Sequence, residues 1–235
     1  MKAWLFQANP KLFDVDGYLA ADLDTISWVV RQHKSEVAPG DTVFIWKSQG
    51  RDKEASGVIA ECRVVSPVVV GLGDSASVPF WSSDVPVTSE ARVELAVQRV
   101  ASTREVLKRD WLKVDPVLHT LTIFKMAQGT NYILTEQQAR RLRSVWSRTG
   151  KDWSWRESVA GLWAYAETKG SEVSKLSGSP VALAALATGR AVGGVYNKVM
   201  NFRALDPTDE RNGLQGAGET DRKVWSPRWP PKLPH

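Results

Sequence analysis

The feature that most constrains the fold is a change in hydrophobic periodicity near residue 150. Before it, apolar residues occur in short runs, and in residues 92–100 Val93, Leu95 and Val97 alternate with less apolar neighbours. A period of two is typical of strands with one buried face. After residue 151 the apolar positions recur with a period of 3.6, which predicts helices. The sequence therefore predicts a β-rich first domain and a separate all-α second domain.

Turn residues separate the β-rich runs before residue 150. The runs lie at residues 3–6, 43–46, 57–70, 92–100 and 121–124. Short strands in this number predict a small curved sheet or barrel. The stretch 71–88 is rich in Gly, Pro and Ser and predicts a loop, whereas 103–111 predicts a helix.

Helix-capping patterns mark the predicted helices. Thr135 with Gln138 forms a capping box that opens a helix to about residue 147, and Ser154 with Glu157 opens the all-α domain. Pro180 predicts the start of the next helix, and a third helix ends before Pro207. The last ten residues, 226–235, contain four prolines and predict a disordered tail.

Composition excludes several classes of protein. The 235 residues are enough for two modest domains, and they include one cysteine and three histidines. One cysteine excludes an intramolecular disulfide framework and a cysteine-based zinc cluster. The sequence has no phosphate-binding loop, nucleophile elbow or His-Glu-x-x-His motif. We therefore predict no cofactor and no metal site, and the sequence leaves enzymatic activity open.

The sequence also has no feature of a membrane or secreted protein. It contains no apolar run of about 18 residues and no signal peptide. This predicts a cytoplasmic protein without a membrane partner.

Tryptophan is unusually frequent, with eleven residues, and the net charge is +5. A mild positive charge slightly favours a nucleic-acid partner, and flat aromatic rings can stack on bases. Trp28 and Trp46 lie at strand ends near amide and basic residues, the combination that a flipped base needs. The composition alone leaves open the alternative that Trp4, Trp28 and Trp46 are core residues.

Five ordered motifs give the first domain a family resemblance. They lie at residues 4–10, 28–31, 39–48, 57–60 and 128–131, within about 2–148. Together they resemble the EVE domain, a member of the PUA-like superfamily that also contains YTH and ASCH domains. The resemblance implies an α+β fold, with a β-pseudobarrel and flanking helices. It also implies a concave aromatic pocket for a modified base, often in DNA.

The resemblance assigns candidate site residues by motif position. The modified-base pocket would be formed by Trp28, Trp46, Ser48, Asn131 and Asn9. The nucleic-acid backbone would contact Arg31, Lys47, Arg51, Lys53, Gln128 and Thr130, joined by Tyr196, Asn197 and Lys198 of the second domain.

The second domain resembles the small helical module that precedes the nuclease domain in bacterial HNH restriction endonucleases. The similar segments are residues 153–165, 190–202, 205–207, 213–214 and 221–225. The resemblance implies a helix-turn-helix-like DNA-binding unit. We thus expect a modified-base domain at 1–149, a helical DNA-binding or linker domain at 150–225, and a tail at 226–235. The sequence has no His-Asn-His constellation, so nuclease activity is not carried over.

These observations lead to one main hypothesis and two alternatives. The chain is expected to bind double-stranded DNA that contains 5-methylcytosine, 5-hydroxymethylcytosine or N6-methyladenine, by flipping the modified base into the aromatic pocket. It would be the recognition part of a modification-dependent restriction system that lacks its HNH domain, with a nuclease domain or a second copy as candidate partner. The main alternative is a PUA-like protein that reads modified RNA. A small-molecule enzyme is the least favoured reading, because His and Cys are scarce.

Overall fold

The computed structural model describes residues 1–50, 56–71, 74–82 and 90–225. Arg51, Lys53 and the predicted tail 226–235 lie outside these residues. The chain forms two compact units, one of Met1–Arg109 with Thr120–Arg140, and the other of Asp110–His119 with the chain from Arg141 onward. We call them the sheet unit and the helical unit. In the sequence the units meet at 109/110, 119/120 and 140/141, and the domain boundary at 149/150 stays a prediction.

The sheet unit contains one mixed, curled sheet. Its strands are β1 (Ala3–Ala8), β2 (Thr25–Val29), β3 (Thr42–Lys47), β4 (Gly57–Val64), β5 (Val69–Val70), β6 (Ala91–Val100), β7 (Leu107–Lys108) and β8 (Asn131–Leu134). The strand order is β2-β6-β4-β3-β1-β8, with β5 paired to β6 and β7 paired to β4. Only β1 and β3 pair in parallel among the described strands.

The burial pattern along each strand agrees with its position in the sheet. In β1 and β3 nearly every side chain is buried, as expected for strands covered on both faces. In β6, Ala91, Val93 and Leu95 are buried and alternate with partly exposed residues, so the predicted period of two is confirmed there. The register shifts between Ile45 and Trp46, and such a bulge bends a strand and increases its twist.

Short helical segments flank the sheet. Helix α1 (Val15–Ala20) begins at Asp14, whose side chain accepts a hydrogen bond from the amide of Gly17. A 3₁₀ helix (Ser75–Phe80) begins at Asp74 in the same way, with Ser77 as donor. The stretch predicted as a loop thus contains a helical turn in its described part.

Two local predictions are wrong. The run 121–124, predicted as a strand, contains the 3₁₀ helix Thr122–Phe124. Four residues are too few for their apolar pattern to distinguish strand from helix. Residues 103–111, predicted as a helix, include instead the short strand β7 and the start of α2 (Arg109–Lys113). Pairing of β7 with Gly57 and Val58 overrides the local helical pattern.

Side chains close the gap between the sheet edges β2 and β8. The Asn131 side chain donates a 3.0 Å hydrogen bond to the carbonyl of Val29 and accepts a 2.9 Å bond from the amide of Arg31. The Gln32 side chain accepts bonds from the amides of Thr130 and Asn131, at 3.0 and 3.1 Å. We call this set of contacts the edge seam.

The second part of the chain is helical, as predicted. Helix α3 (Glu136–Arg148) is followed by α4 (Trp155–Thr168), α5 (Pro180–Thr188), α6 (Val192–Leu205) and α7 (Glu219–Trp225). Both predicted capping boxes are confirmed, at Thr135 with Gln138 and at Ser154 with Glu157. Three residues join α5 to α6, and the first of them, Gly189, has a φ of 74°, which glycine adopts without strain.

Ion pairs are buried among the helices of the helical unit. Arg141 contacts Asp115 at 2.8 Å, and both side chains are almost fully buried. Arg190 contacts Glu157 at 2.9 Å, and its guanidinium also lies over the ring of Trp153. These contacts join residues that are distant in sequence, so they hold the helices in one arrangement.

Candidate functional site

A depression in the sheet unit contains an unusual concentration of aromatic side chains. It lies between β1, β2, the loop after β1 and the 3₁₀ helix Ser75–Phe80, and it has a volume of about 150 Å³. We call it the aromatic depression. Its lining residues are Gln7, Ala8, Asn9, Leu12, Phe13, Ser27, Trp28, Val29, Arg31, Asp74, Ser77, Trp81, Arg92 and Thr130.

Three rings form its apolar wall. Phe13 contacts Trp28 edge-on, with ring centroids 6.4 Å apart, and contacts Trp81 at 4.9 Å. A backbone bridge also joins Phe13 to Trp81. Trp28 is 7% exposed, and Trp81 is half-buried. The rings therefore support one another and offer a rigid surface to a flat, apolar ligand.

Polar side chains form a cluster in the same depression. Asp74 accepts a 3.0 Å hydrogen bond from the Tyr18 hydroxyl, and its carboxylate lies 3.7 Å from the guanidinium of Arg92. Arg92 also donates to the Ser27 hydroxyl at 3.4 Å. Burial raises the pKa of Tyr18, so this phenol stays protonated and remains a donor to Asp74.

A second depression, of about 250 Å³, is predominantly polar. We call it the polar depression. Gln7 and Asn9 line both depressions. The other lining residues are Lys11, Trp46, Ser48, Gln49, Ser56, Arg109, Ile123 and Ala127.

The predicted pocket residues therefore do not form a single pocket. Trp28 lines the aromatic depression, whereas Trp46 and Ser48 line the polar one, and Asn9 lines both. Trp46 is 2% exposed and contacts the ring edge of Phe124, so most of its ring is core. Asn131 lines neither depression, because its amide is buried in the edge seam.

The predicted backbone contacts in the sheet unit lie in several places. Arg31 and Thr130 line the aromatic depression, and Arg31 forms an exposed ion pair with Glu90. Gln128 is exposed in the turn before β8. Lys47 forms an ion pair with Asp16 beside a third cavity, of about 520 Å³, and lines neither depression.

The three predicted contacts in the helical unit differ in exposure. Asn197 is exposed, and Tyr196 is half-buried with the Lys175 ammonium 4.0 Å from its ring centre. The prediction for Lys198 is wrong. Its ammonium is buried and binds both carboxylate oxygens of Asp221, at 2.7 and 2.8 Å, so it is not presented to a phosphate.

Sequence reasoning missed several residues of the aromatic depression, among them Phe13, Ser27, Asp74, Trp81 and Arg92. They come from loops, the two ends of a 3₁₀ helix and two strands. A local signal was available for Asp74, because Asp is a residue type preferred at helix N-caps. No local signal joins Phe13 to Trp81, since their contact depends on the tertiary fold.

In the part of the chain that the structure describes, no group of three His, Cys, Asp or Glu side chains is placed to hold a metal ion. Within the same residues, no helix has the length and apolarity needed to cross a membrane. Burial raises the pKa of the Cys62 thiol to about 12, so this cysteine is protonated at neutral pH.

A curled mixed sheet with flanking helices is the architecture of a PUA-like fold. The chain belongs to the EVE domain family, whose sequence profile matches residues 2–144. The EVE resemblance seen in the sequence is thus confirmed, and so is the α+β, PUA-like fold.

Several solved structures are similar to this chain. A hypothetical protein from Leishmania major is 19% identical, with a TM-score of 0.45, and the match covers 61% of this chain and 93% of that one. A protein from Pseudomonas syringae is 16% identical, with a TM-score of 0.45 and coverages of 60% and 97%. Human THYN1, solved in complex with DNA containing 5-methylcytosine, is 14% identical, with a TM-score of 0.45 and coverages of 65% and 99%. No curated protein matches the chain.

Proposed function

We propose that this protein binds DNA containing a modified cytosine by flipping that base into the aromatic depression. One observation carries the proposal: Trp28, Phe13 and Trp81 form an apolar wall beside the polar cluster of Ser27, Asp74 and Arg92. A flipped base needs a flat apolar surface for its ring and hydrogen-bonding groups for its Watson–Crick edge. The polar depression offers fewer aromatic surfaces, so we assign the base to the aromatic one.

The energetics are compatible with this mechanism. Extruding a base costs a few kcal/mol, and stacking on an aromatic side chain returns about 1–3 kcal/mol. Burying a methyl group adds only about 0.8 kcal/mol, which corresponds to roughly a fourfold preference. A larger preference for the modified base therefore needs a polar contact or a steric exclusion in addition.

Basic residues near the depressions would bind the phosphates. The ion pair of Arg31 with Glu90 is exposed, and such pairs contribute little free energy. Arg31 can therefore exchange Glu90 for a phosphate at low cost. Lys11, which is exposed and lines the polar depression, is placed to bind the adjoining backbone.

The wider biological setting that we propose is a modification-dependent restriction system. Its support is the sequence resemblance of residues 152–225 to the module that precedes HNH nuclease domains. In that setting Tyr196 and Asn197 of α6 would contact DNA, and cleavage would come from a nuclease partner. Co-purification of such a nuclease with the full chain, and cleavage of modified DNA only by the complex, would test this setting.

The central experiment measures binding of the full chain to matched duplexes at one fixed salt concentration. We choose 5-methylcytosine as the modified base, since that is the base in the THYN1 complex. The wild type should prefer the methylated duplex to the unmethylated one by at least about fourfold. Trp81→Ala should weaken binding of the methylated duplex by about 5- to 150-fold, because one stacking surface is lost.

The matched control is Trp155→Ala, which removes a surface tryptophan from the helical unit. Circular dichroism and thermal melting should show that both variants fold, and Trp28→Leu provides a second test with an apolar side chain retained. If folded Trp81→Ala and Trp28→Leu proteins keep the full preference, the base binds elsewhere. Tighter binding to methylated RNA than to methylated DNA would favour the RNA-reading alternative.

A further inference from the structure

Asp74 is the only acidic residue among the described residues that line the aromatic depression. Its side chain is 7% exposed, although carboxylates are rarely buried unless they are paired. The 3₁₀ helix needs a cap at this position, but Ser or Asn would serve that purpose without a charge. The presence of a charged acceptor here suggests a function beyond capping.

The surroundings of Asp74 fix its orientation. Its Oδ1 accepts a 3.2 Å hydrogen bond from the amide of Ser77, and its Oδ2 accepts from Tyr18 at 3.0 Å. A carboxylate can accept about four hydrogen bonds, so acceptor capacity remains. These contacts hold the carboxylate in place, and in its ionised form it can only accept hydrogen bonds.

Arg92 places a donor beside this acceptor. Its guanidinium lies 3.7 Å from the Asp74 carboxylate and donates to Ser27, and it has no acceptor atoms. A ligand in the depression thus meets an acceptor and a donor side by side. A ligand with an amino group next to a ring-nitrogen or carbonyl acceptor would fit this pair, because its amino group could donate to Asp74 and its acceptor could accept from Arg92.

We propose that Asp74 and Arg92 select the bound base by its exocyclic amino group, so that the site accepts 5-methylcytosine and rejects thymine. This inference rests on the proposed function. Cytosine presents a 4-amino donor, which a carboxylate accepts, whereas thymine presents the O4 acceptor at that position. Thymine would set its O4 against the fixed carboxylate, and because both groups are acceptors no hydrogen bond could form between them. Sites built to bond a polar group discriminate strongly against analogues that lack it.

The comparison of 5-methylcytosine with thymine tests recognition of the exocyclic amino group, because both bases carry the same methyl group. Each base is placed in the same duplex opposite a tetrahydrofuran abasic analogue, so that no base pair has to be broken. We expect the full-length wild type to bind the 5-methylcytosine duplex at least tenfold more tightly than the thymine duplex. A duplex with 5-methylpyrimidin-2-one, which lacks the amino group, should bind as weakly as the thymine duplex.

The matched variants are Asp74→Asn and Asp24→Asn, each of which removes one negative charge. Asn still caps a helix but can donate to O4 of thymine, so Asp74→Asn should reduce the preference to less than threefold or reverse it. Asp24 is exposed and lines neither depression, so Asp24→Asn should keep the tenfold preference. Should Asp74→Asn fail to fold, the wild-type comparison of the three bases still decides the question.

The outcomes separate this inference from the proposed function. Equal binding of 5-methylcytosine and thymine, with both tighter than cytosine and uracil, would overturn the role of Asp74 but leave a methyl-reading pocket. An unchanged preference in folded Asp74→Asn protein would also overturn that role. Binding that ignores methylation and is unaffected by Trp81→Ala would remove the proposed function itself.

Discussion

The sheet unit and the helical unit use buried polar groups in different ways. In the core of the sheet unit, Asp41 accepts hydrogen bonds from the Trp4 indole and from backbone amides, and Asn131 bonds to backbone at the edge seam. In the helical unit, buried ion pairs join Arg190 to Glu157 and Lys198 to Asp221. The buried pair of Arg92 with Asp74 in the sheet unit lies in the aromatic depression instead.

This difference changes how a basic residue should be interpreted. In the helical unit, the buried basic groups are needed to neutralise carboxylates, so a lysine in α6 is no indication of DNA binding by itself. In the sheet unit, the buried ion pair of Arg92 with Asp74 lines the aromatic depression rather than joining two helices of a core. Charge burial therefore indicates a structural role in one unit and a candidate ligand contact in the other.

The largest expected effect is that of Arg190→Ala on the helical unit. This change removes the Arg190 guanidinium from the buried Glu157, which keeps a 3.5 Å contact with Arg148 and hydrogen bonds from Ser154. It also removes the hydrogen bonds of Arg190 to the carbonyls of Arg148 and Lys151. Removing one partner of a buried pair costs about 3–5 kcal/mol. Hydrogen exchange measured by mass spectrometry should show lost protection in α4 and α6, with the strands of the sheet unit still protected.

Arg156→Ala is the control for this change, because Arg156 is exposed on α4. It should alter the free energy of unfolding by less than about 0.5 kcal/mol. Equal protection of α4 in the Arg190→Ala and Arg156→Ala proteins would contradict a structural role for the buried pair.

A smaller effect is expected for Asn131→Ala at the edge seam of the sheet unit. The change leaves the carbonyl of Val29 and the amide of Arg31 without their side-chain partners. An unsatisfied buried group costs about 1–3 kcal/mol, which chemical denaturation can measure. The control is Asn197→Ala, since Asn197 is exposed, and it should be nearly neutral. Equal stabilities of the two variants would show that the seam does not hold the sheet edges.

The smallest effect concerns pH and the Tyr165 hydroxyl in the helical unit. Burial alone would raise the pKa of Asp206, but hydrogen bonds from Lys169, Thr208 and Tyr165 lower it to about 2. A lowered pKa in the folded state contributes stability above the ordinary value near 4, and this contribution is lost as pH falls toward 2. Tyr165→Phe removes one of these hydrogen bonds, so it should cost about 1 kcal/mol at neutral pH.

The measurement is protection of α4 and α6 against hydrogen exchange between pH 5 and pH 2, corrected for the intrinsic exchange rate. The wild type should lose more protection across this range than Tyr165→Phe, because the variant's Asp206 has a pKa closer to its ordinary value. Identical pH profiles would mean that the Tyr165 hydroxyl does not affect the titration of Asp206.

Much of the fold was predictable because its signals are local. The alternation in β6 and the two capping boxes each depend on residues within a few positions of one another. The ordered motifs also predicted the EVE family, which the family match confirms. Residues 121–124 were assigned wrongly because four apolar residues carry no reliable period.

The candidate site was harder to predict because it depends on strand order. Trp28 and Trp46 both lie at strand ends, but β6 and β4 separate their strands in the sheet. The partner of Lys198 lies 23 positions away, so no local pattern shows that its charge is neutralised. Only the assembled fold distinguishes a tryptophan that lines a depression from one in the core, and an exposed cation from a buried, paired one.

The edge seam makes the joint between β2 and β8 different from the strand pairs of the sheet. In a strand ladder, successive backbone pairs must separate together, whereas a side-chain amide makes its hydrogen bonds alone. Ser27 and Trp28 lie on one side of the seam, and Thr130 lies on the other. Separating these two edges would therefore break the hydrogen bonds of the Gln32 and Asn131 side chains and leave the register of the described strand pairs unchanged.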